Sequence, residues 1–326
     1  VSDALPWVTV VIPARPDLAD IQALAAVRRL DYPPDRLEII IARGRQPSAQ
    51  RNAALRAAQS DLVYFLDDDS LPDPENLRRA VPHFRDPEVV MVGGPNLCPP
   101  EAPEREQAFA LVLGSWLAFG PSRARYTPVG FTRATSEKEL ILCNLIARRD
   151  AILELGGFNE ALYPNEENAL MDALQQRGGK LIYDPAFRVQ RRPRPTLRAF
   201  GRMLFRYGRG RAEQFRVHPT PGSALNFVPP LFVLYLITLP LTVLWLGPWA
   251  LSPLAVYAVL LAAQGLDFLA RSTPARAARA VPLLVLSHVL YGLGFWRGLF
   301  TRLTPRGRPA EVPVTLERLP AQPAAP

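Results

Sequence analysis

Hydrophobic and polar positions divide the chain into two regimes. In the first, short apolar runs alternate with segments of helical period. Trp7–Pro13 (WVTVVIP), Leu37–Ile41 (LEIII), Leu62–Leu66 (LVYFL) and Val89–Val92 (VVMV) read as strands because each is a brief β-branched or aromatic run bounded by turn residues. Between them, Leu18, Ile21, Leu24, Val27 and Leu30 recur at helical spacing. Ser48–Ala58 reads as a second helix with Ser48 as its N-cap, and Pro74–Phe84 as a third. Further along, Leu140–Ala147 (LILCNLIA) reads as a strand, and a helix starts after Pro164–Asn168 with Leu170 and Leu174 on one face. Strands alternating with helices through short turns predict an α/β domain with a Rossmann-like parallel sheet. Ligands in such sheets sit at the carboxyl ends of the strands.

The second regime is apolar throughout. Val217–Leu266 contains no Asp, Glu, Lys or Arg, and a helical membrane span needs about 20 such residues. Two spans are expected, at about 226–246 and 250–270, separated by Gly247-Pro248-Trp249. A third apolar stretch, Ala280–Trp296 within a 280–300 segment, stands at the lower limit of a span. Arg271, Arg276 and Arg279 precede it and Arg297, Arg302, Arg306 and Arg308 follow it. Basic flanks prefer the cytoplasmic side, so an interfacial or re-entrant helix is favoured over a third span. The opening residues lack a basic region followed by an apolar run, which leads us to expect the first domain in the cytoplasm.

Composition sharpens this picture. The 326 residues are 48% hydrophobic with net charge +8, which excludes a disordered chain. The 35 prolines show no G-X-Y period, which excludes collagen. Two cysteines, Cys98 and Cys143, cannot make a disulfide framework or a zinc cluster. The positive charge is concentrated in residues 185–216, with ten arginines against the single acid Glu213. Arg198, Arg202, Arg206 and Arg209 form one helical stripe opposite Leu197, Phe200, Met203, Leu204 and Tyr207. A basic amphipathic helix directly before apolar spans belongs at headgroup level, facing anionic lipid or a lipid phosphate. No nucleic-acid motif accompanies the arginines, so nucleic acid is not an expected partner.

Two acidic sets carry the candidate chemistry. Asp67, Asp68 and Asp69 follow the strand LVYFL. In extended chain Asp67 and Asp69 point the same way, and two such carboxylates can hold a Mg²⁺ or Mn²⁺ that bridges a substrate diphosphate. The second set is Asn165-Glu166-Glu167-Asn168 at a helix start, after the turn Gly156-Gly157-Phe158. Carboxylates there are ordinary partners of the helix dipole. They are also well placed to take a proton from a hydroxyl.

Taken in order, VTVVIP, Gln50-Arg51-Asn52-Ala53-Ala54, FLDDDSLP, GGFNE, NEENAL, the Arg177-Gly178-Gly179 turn and IYDP resemble glycosyltransferase family 2. These are inverting enzymes of the A-type glycosyltransferase fold, and the likeness spans residues 7–216. Arg206-Tyr207-Gly208-Arg209-Gly210-Arg211 resembles the arginine-rich segment of members that act at membranes. The resemblance implies roles for particular residues. Asp67 and Asp69 would bind the divalent cation, and Pro13, Arg51, Asp67 and Asp68 would contact a nucleotide-sugar donor, with a UDP-sugar the default expectation. Leu170 sets the register, so Glu167 takes the slot of the catalytic base and Glu166 that of the acid before it. Arg198, Arg202, Arg206, Arg209 and Arg211 would meet the acceptor or a lipid phosphate.

Two departures stand out. Where family members carry Asp-Asp-Gly-Ser after the second strand, this chain has Ala42-Arg43-Gly44-Arg45. The base is then read differently or the loop meets phosphate. Glu also replaces Asp at 167, which moves the carboxylate by roughly an ångström, a shift that can cost about 10²-fold in rate. The processive motif QxxRW is incomplete, since Gln190-Arg191-Arg192-Pro193-Arg194 lacks the Trp. The expectation is a multi-pass inner- or plasma-membrane enzyme that adds one sugar to a lipid-linked acceptor. A catalytically inactive relative serving as a binding subunit is the alternative. The domains would be a catalytic part at 1–195, an interfacial helix at 196–216, a membrane region at 217–300 and a disordered tail at 301–326.

Overall fold

A computed structural model of the protein describes residues 5–162, 165–217, 219, 221–303 and 313–321. Pro164, ahead of the second acidic set, lies outside them, as do parts of the tail. The chain forms two compact units: residues 1–99, 124–191 and 305–326 make one, and 100–123 with 192–304 make the other. Residues 100–123, expected within the catalytic part, thus cluster with the helices.

The first unit is built on strands β1 (Val8–Ala14), β2 (Leu37–Arg43), β3 (Leu62–Leu66), β4 (Leu71–Pro72), β5 (Val89–Gly93), β6 (Asn96–Leu97), β7 (Arg133–Thr135), β8 (Asn144–Arg148), β9 (Lys180–Tyr183), β10 (Val189–Gln190) and β11 (Thr315–Pro320). Eight of them form one sheet in the order β11-β2-β1-β3-β8-β5-β9-β7, and β4-β10-β6 form a small second sheet. β2, β1 and β3 are parallel as expected. The sheet as a whole is mixed, because β8 runs antiparallel between β3 and β5. LILCNLIA reads as a strand in isolation, but nothing in its pattern states that it inserts between two earlier strands.

The first unit's helices are α1 (Gln22–Val27), α2 (Pro47–Ala57), α3 (Asn76–Ala80), α6 (Arg149–Glu154) and α7 (Glu166–Gln176); the second unit holds α4 (Glu104–Leu113), α5 (Trp116–Phe119), α8 (Leu197–Val217), α9 (Val228–Leu246), α10 (Ser252–Arg271) and α11 (Pro274–Phe300). Both faces of the large sheet are covered. One apolar cluster joins Val10, Ile12, Ile39 and Leu66 to α1 and α3, and the other joins Val11, Ile40, Phe65 and Leu145 to α2, α6 and α7. Burial on both faces explains why β1 and β3 are continuous apolar runs. Ser48 is not an N-cap: α2 starts one residue earlier at Pro47, and Ser48 is buried in its first turn.

The tail departs from expectation. Residues 315–320 form a strand that pairs with β2 from Thr315↔Arg43 to Pro320↔Glu38. Leu316 packs on one face of the sheet and Leu319 on the other. Alternating contacts on both sides order a segment that its prolines make look unstructured.

In the second unit, α8 is the basic amphipathic helix, with Phe200 and Leu204 buried and Arg198, Arg202 and Arg206 exposed. Arg209 pairs with Glu213 at 3.3 Å, and Arg211 donates to Gln214 at 3.2 Å. α8 and α11 approach at backbone distance. A Cβ on Gly294 would stand 2.0 Å from the Phe205 carbonyl oxygen, and one on Gly208 2.0 Å from that of Tyr291. The helical run 224–271 and the helix Pro274–Phe300 are long and apolar enough to cross a membrane. His288 donates through Nε2 to the Leu117 carbonyl (2.9 Å), which leaves Nδ1 to accept from Tyr257 Oη at 2.7 Å. Both ring nitrogens are thereby occupied, so this histidine packs helices together.

Candidate functional site

The site gathers at the carboxyl ends of β1 and β3, where the strand order reverses direction. β1 ends at the buried Pro13 and Ala14. Gln50, in the first turn of α2, ties two strand ends together by donating to the carbonyls of Ala14 (2.8 Å) and Ala42 (2.5 Å). The next residue of α2 is Arg51. It is 5% exposed, so it is not a surface cation. Its Nη2 lies 2.9 Å from Asp67 Oδ1 and its Nη1 3.4 Å from Glu166 Oε1. One buried guanidinium thus joins the aspartates after β3 to the acidic start of α7.

Asp67, Asp68 and Asp69 turn sharply, with the Ser70 N–H donating to the Asp67 carbonyl at 3.1 Å. β4 follows, and β10 pairs with it in the register Gln190↔Leu71. That pairing delivers Arg191 to the aspartates. Its Nη1 is 3.0 Å from Asp67 Oδ2 and its Nε 2.5 Å from Asp69 Oδ1. Asp67 and Asp69 therefore converge on a single positive group, though through this turn and not through alternation along an extended chain. The same convergence and hard oxygen chemistry suit a divalent cation. Among the described residues no three His, Cys, Asp or Glu side chains close on one point, so a metal held here would take further ligands from phosphate or water. Burial and the charges of Asp69 and Asp67 push Asp68 above the usual carboxylate range.

At the head of α7, Glu166 is 2% exposed while Glu167 is half-buried. Burial, then the charge of Glu167, push Glu166 up to about 7 against the pull of Arg51. The start of α7 is braced from behind. Asn168 Oδ1 accepts from Arg125 Nη2 at 2.6 Å, and Asn168 Nδ2 donates to Asn165 Oδ1 at 3.0 Å. The preceding turn is held by Asn52, which accepts from the Phe158 N–H (2.8 Å) and donates to the Phe158 carbonyl (2.9 Å) and to Glu160 (2.9 Å). Gly157 sits at φ +85°, and a Cβ there would be 2.4 Å from Asn52 Oδ1, so glycine is needed for both backbone and space.

The structure brings Arg51, Asp67, Asp69 and Glu166 into one connected set. The α8 arginines belong to the other unit. Arg191 escaped notice in the sequence because the pairing of β10 with β4 places it. Asn52 stands inside QRNAA, but its partners lie more than 100 residues away. Glu139 is engaged internally with Arg133 at 2.7 Å. Cys143 is buried, which pushes its thiol up to about 12, so it is not a nucleophile. Arg43 does not face phosphate: its Nε donates to Glu317 Oε1 at 2.5 Å. Arg45 is exposed.

A family model described as glycosyl transferase family 2 matches residues 18–154. The pre-mycofactocin glycosyltransferase of Mycobacterium tuberculosis is 31% identical over 179 residues, 55% of this chain and 37% of that protein. The chain thus spans little more than a third of that relative's length. The succinoglycan biosynthesis protein ExoA of Rhizobium meliloti is 26% identical over 89% of this chain and 94% of its own. Among solved structures, the mannosyltransferase PcManGT of Pyrobaculum calidifontis, in complex with GDP-Man and Mn²⁺, superposes with a TM-score of 0.52 at 20% identity, covering 91% of this chain and 88% of that one. At that identity the likeness is one of fold.

Proposed function

The chain carries a glycosyltransferase family 2 domain, and from that premise we propose that it moves a single sugar, with inversion, from a nucleotide-sugar to a lipid-linked acceptor at a membrane surface. The observation that carries this reading is Arg51, which joins Asp67 to Glu166 at 2.9 and 3.4 Å. The carboxylates suited to a cation and those suited to a proton thereby belong to one site.

In this reading Asp67 and Asp69 would hold a divalent cation, whose charge would neutralise a diphosphate leaving group. Arg51 holds the Asp67 carboxylate in place through their 2.9 Å ion pair. Glu167 takes the proton of the acceptor hydroxyl as that oxygen bonds to the anomeric carbon and the bond to the diphosphate oxygen breaks. Glu166, buried and linked to Arg51, sets the position of Glu167 at the head of α7. The PcManGT structure holds GDP-Man and Mn²⁺, so guanosine and uridine donors both belong in a screen.

Membrane attachment rests on the helices. α9 has 19 residues, about 28 Å at 1.5 Å per residue, which matches a hydrocarbon core of about 30 Å. Trp245 and Trp249, beside the α9–α10 turn, are 88% and 83% exposed, as suits an interfacial aromatic belt. β11 supports an even number of crossings between residues 192 and 304, because a strand hydrogen-bonded to β2 lies on the same side of a bilayer as β2. α9 and α10 then cross as a hairpin. α11 stays at the surface with α8, whose exposed arginines would each cost about 2.5–3.5 kcal/mol in the hydrocarbon centre.

The test is a donor screen on solubilised enzyme with Mn²⁺ or Mg²⁺, with and without EDTA, and with polyprenyl-phosphate as acceptor. Metal-dependent release of nucleotide from one donor, lost in Asp69→Ala and in Glu167→Gln, is the expected result. No release from any donor would favour the inactive binding subunit.

A further inference from the structure

β11 carries a contact that leads from the edge of the sheet toward the aspartates. Glu317, in β11, takes a 2.5 Å bond from Arg43 Nε. Arg43 is the last residue of β2, and its Nη1 donates to the carbonyls of Leu18 (2.8 Å) and Arg15 (3.2 Å). Those carbonyls belong to the segment that follows β1. That segment ends against the aspartates, where the Ala23 N–H donates to the Asp68 carbonyl at 3.0 Å. A continuous path therefore runs from Glu317 through Arg43 and residues 15–23 to Asp68.

Leu18 and Ile21 pack the segment's apolar side chains against the core, and Arg43 holds its backbone. Arg15, Pro16 and Asp17 are exposed, and the segment has no regular structure before α1 begins at Gln22. Such a loop keeps one shape only where specific bonds hold it. Arg43 provides two of them from a single guanidinium, and Glu317 fixes that guanidinium through a charge-assisted bond. The strand itself is well anchored. It pairs with β2 over six residues, and Arg318 Nη1 bonds Glu38 Oε1 at 2.7 Å. At Gly44 a Cβ would lie 3.5 Å from the Pro313 carbonyl oxygen, so the turn after β2 also rests against the tail.

We infer that β11 is a working part of the donor site: Glu317 is a positioning residue that, through Arg43, sets the loop at residues 15–23 against which the nucleotide part of the donor binds. This rests on the nucleotide-sugar reading above. It also accounts for the Ala42-Arg43-Gly44-Arg45 sequence. The loop after β2 lacks an acid of its own, and its arginine is neutralised by an acid from the far end of the chain.

The experiment compares the full-length wild type with Glu317→Gln, Arg43→Met and the double variant. Amide hydrogen exchange is followed at residues 15–21, with β3 as the internal control, and donor KM and kcat are measured separately. Glu317→Gln is expected to speed exchange at 15–21 and to raise donor KM by about tenfold, the scale of one lost charge-assisted bond, with the β3 amides and kcat little changed. Glu317→Asp should recover part of the affinity, and the double variant should be no worse than Arg43→Met. Unchanged exchange at 15–21, or faster exchange with unaltered KM, would overturn the inference. If wild type uses no nucleotide-sugar, the glycosyltransferase reading fails and the donor role of Glu317 fails with it. The exchange data then still report separately whether Glu317 holds the loop.

Discussion

Arg191 Nε stands 2.5 Å from Asp69 Oδ1, and the same guanidinium reaches Asp67 at 3.0 Å. An arginine thus occupies the concavity between the two carboxylates that a divalent cation would need. A guanidinium and a metal would compete for the same oxygens, and a donor diphosphate would offer Arg191 another partner. Replacing Arg191 with Met is therefore expected to strengthen Mn²⁺ binding in the absence of nucleotide by about tenfold or more, read by the free-ion signal in paramagnetic resonance. The same change should weaken nucleotide binding at saturating Mn²⁺. Weaker Mn²⁺ binding in the variant would show that the arginine only arranges the carboxylates.

Glu167 is half-buried beside the fully buried Glu166. As the proton acceptor it should contribute about 10²–10⁴-fold to turnover. Glu167→Gln is expected to lower kcat by that amount with donor affinity intact. Shortening it by Glu167→Asp withdraws the carboxylate by roughly an ångström and should cost about 10²-fold. Single-turnover kinetics with saturating donor would check both.

Glu166 titrates at about 7 in the folded protein, above its ordinary 4.5. The folded state therefore holds its proton more tightly than the unfolded chain does. The associated stability is fully present below pH 4.5 and is lost as pH rises through 7. Glu166→Gln removes this titration. Its unfolding midpoint should fall less than that of wild type between pH 5 and pH 8, as followed by thermal melts across that range. Parallel curves would place the ionisation elsewhere.

The contact between α8 and α11 depends on absent side chains. A Cβ on Gly294 would meet the Phe205 carbonyl oxygen at 2.0 Å, and one on Gly298 the Arg209 carbonyl oxygen at 2.4 Å. Backbone cannot retreat as a flexible side chain can, so Gly294→Ala should destabilise the helical unit by about 1–3 kcal/mol. Gly247→Ala, in open space but at φ +60°, should cost only the local backbone strain. Melting temperatures of the two variants in the same detergent would rank them.

If α9 and α10 cross as a hairpin, Trp249 and Thr315 face opposite sides of the membrane. Single cysteines at these positions, in a background with Cys98 and Cys143 replaced, should react with an impermeant maleimide from opposite sides of sealed vesicles. Labelling from the same side would leave the helices lying on the surface.

Much of this protein is legible in its sequence. β1, β2, β3 and β5 are short runs buried on both faces, α9 is free of charged residues and α10 is so up to Asp267, and the arginines of α8 fall on one stripe. These are local patterns, and burial on one face or both writes the strands and α8 directly into residue order. The Asp67–Asp69 set was legible as three acids after an apolar strand, but the turn at Asp67–Ser70, which sequence alternation does not describe, is what brings two of its carboxylates to Arg191.

What only the tertiary structure decided are pairings between distant segments. β8 inserts antiparallel between β3 and β5, Arg191 is delivered by the pairing of β10 with β4, and Glu317 meets Arg43 across 274 residues of chain. The strand at 315–320 reads as a proline-rich tail because its order comes from β2 and not from its own propensity. Sequence period records which faces are buried. It does not record which partner buries them, and in this protein the partners assemble the site.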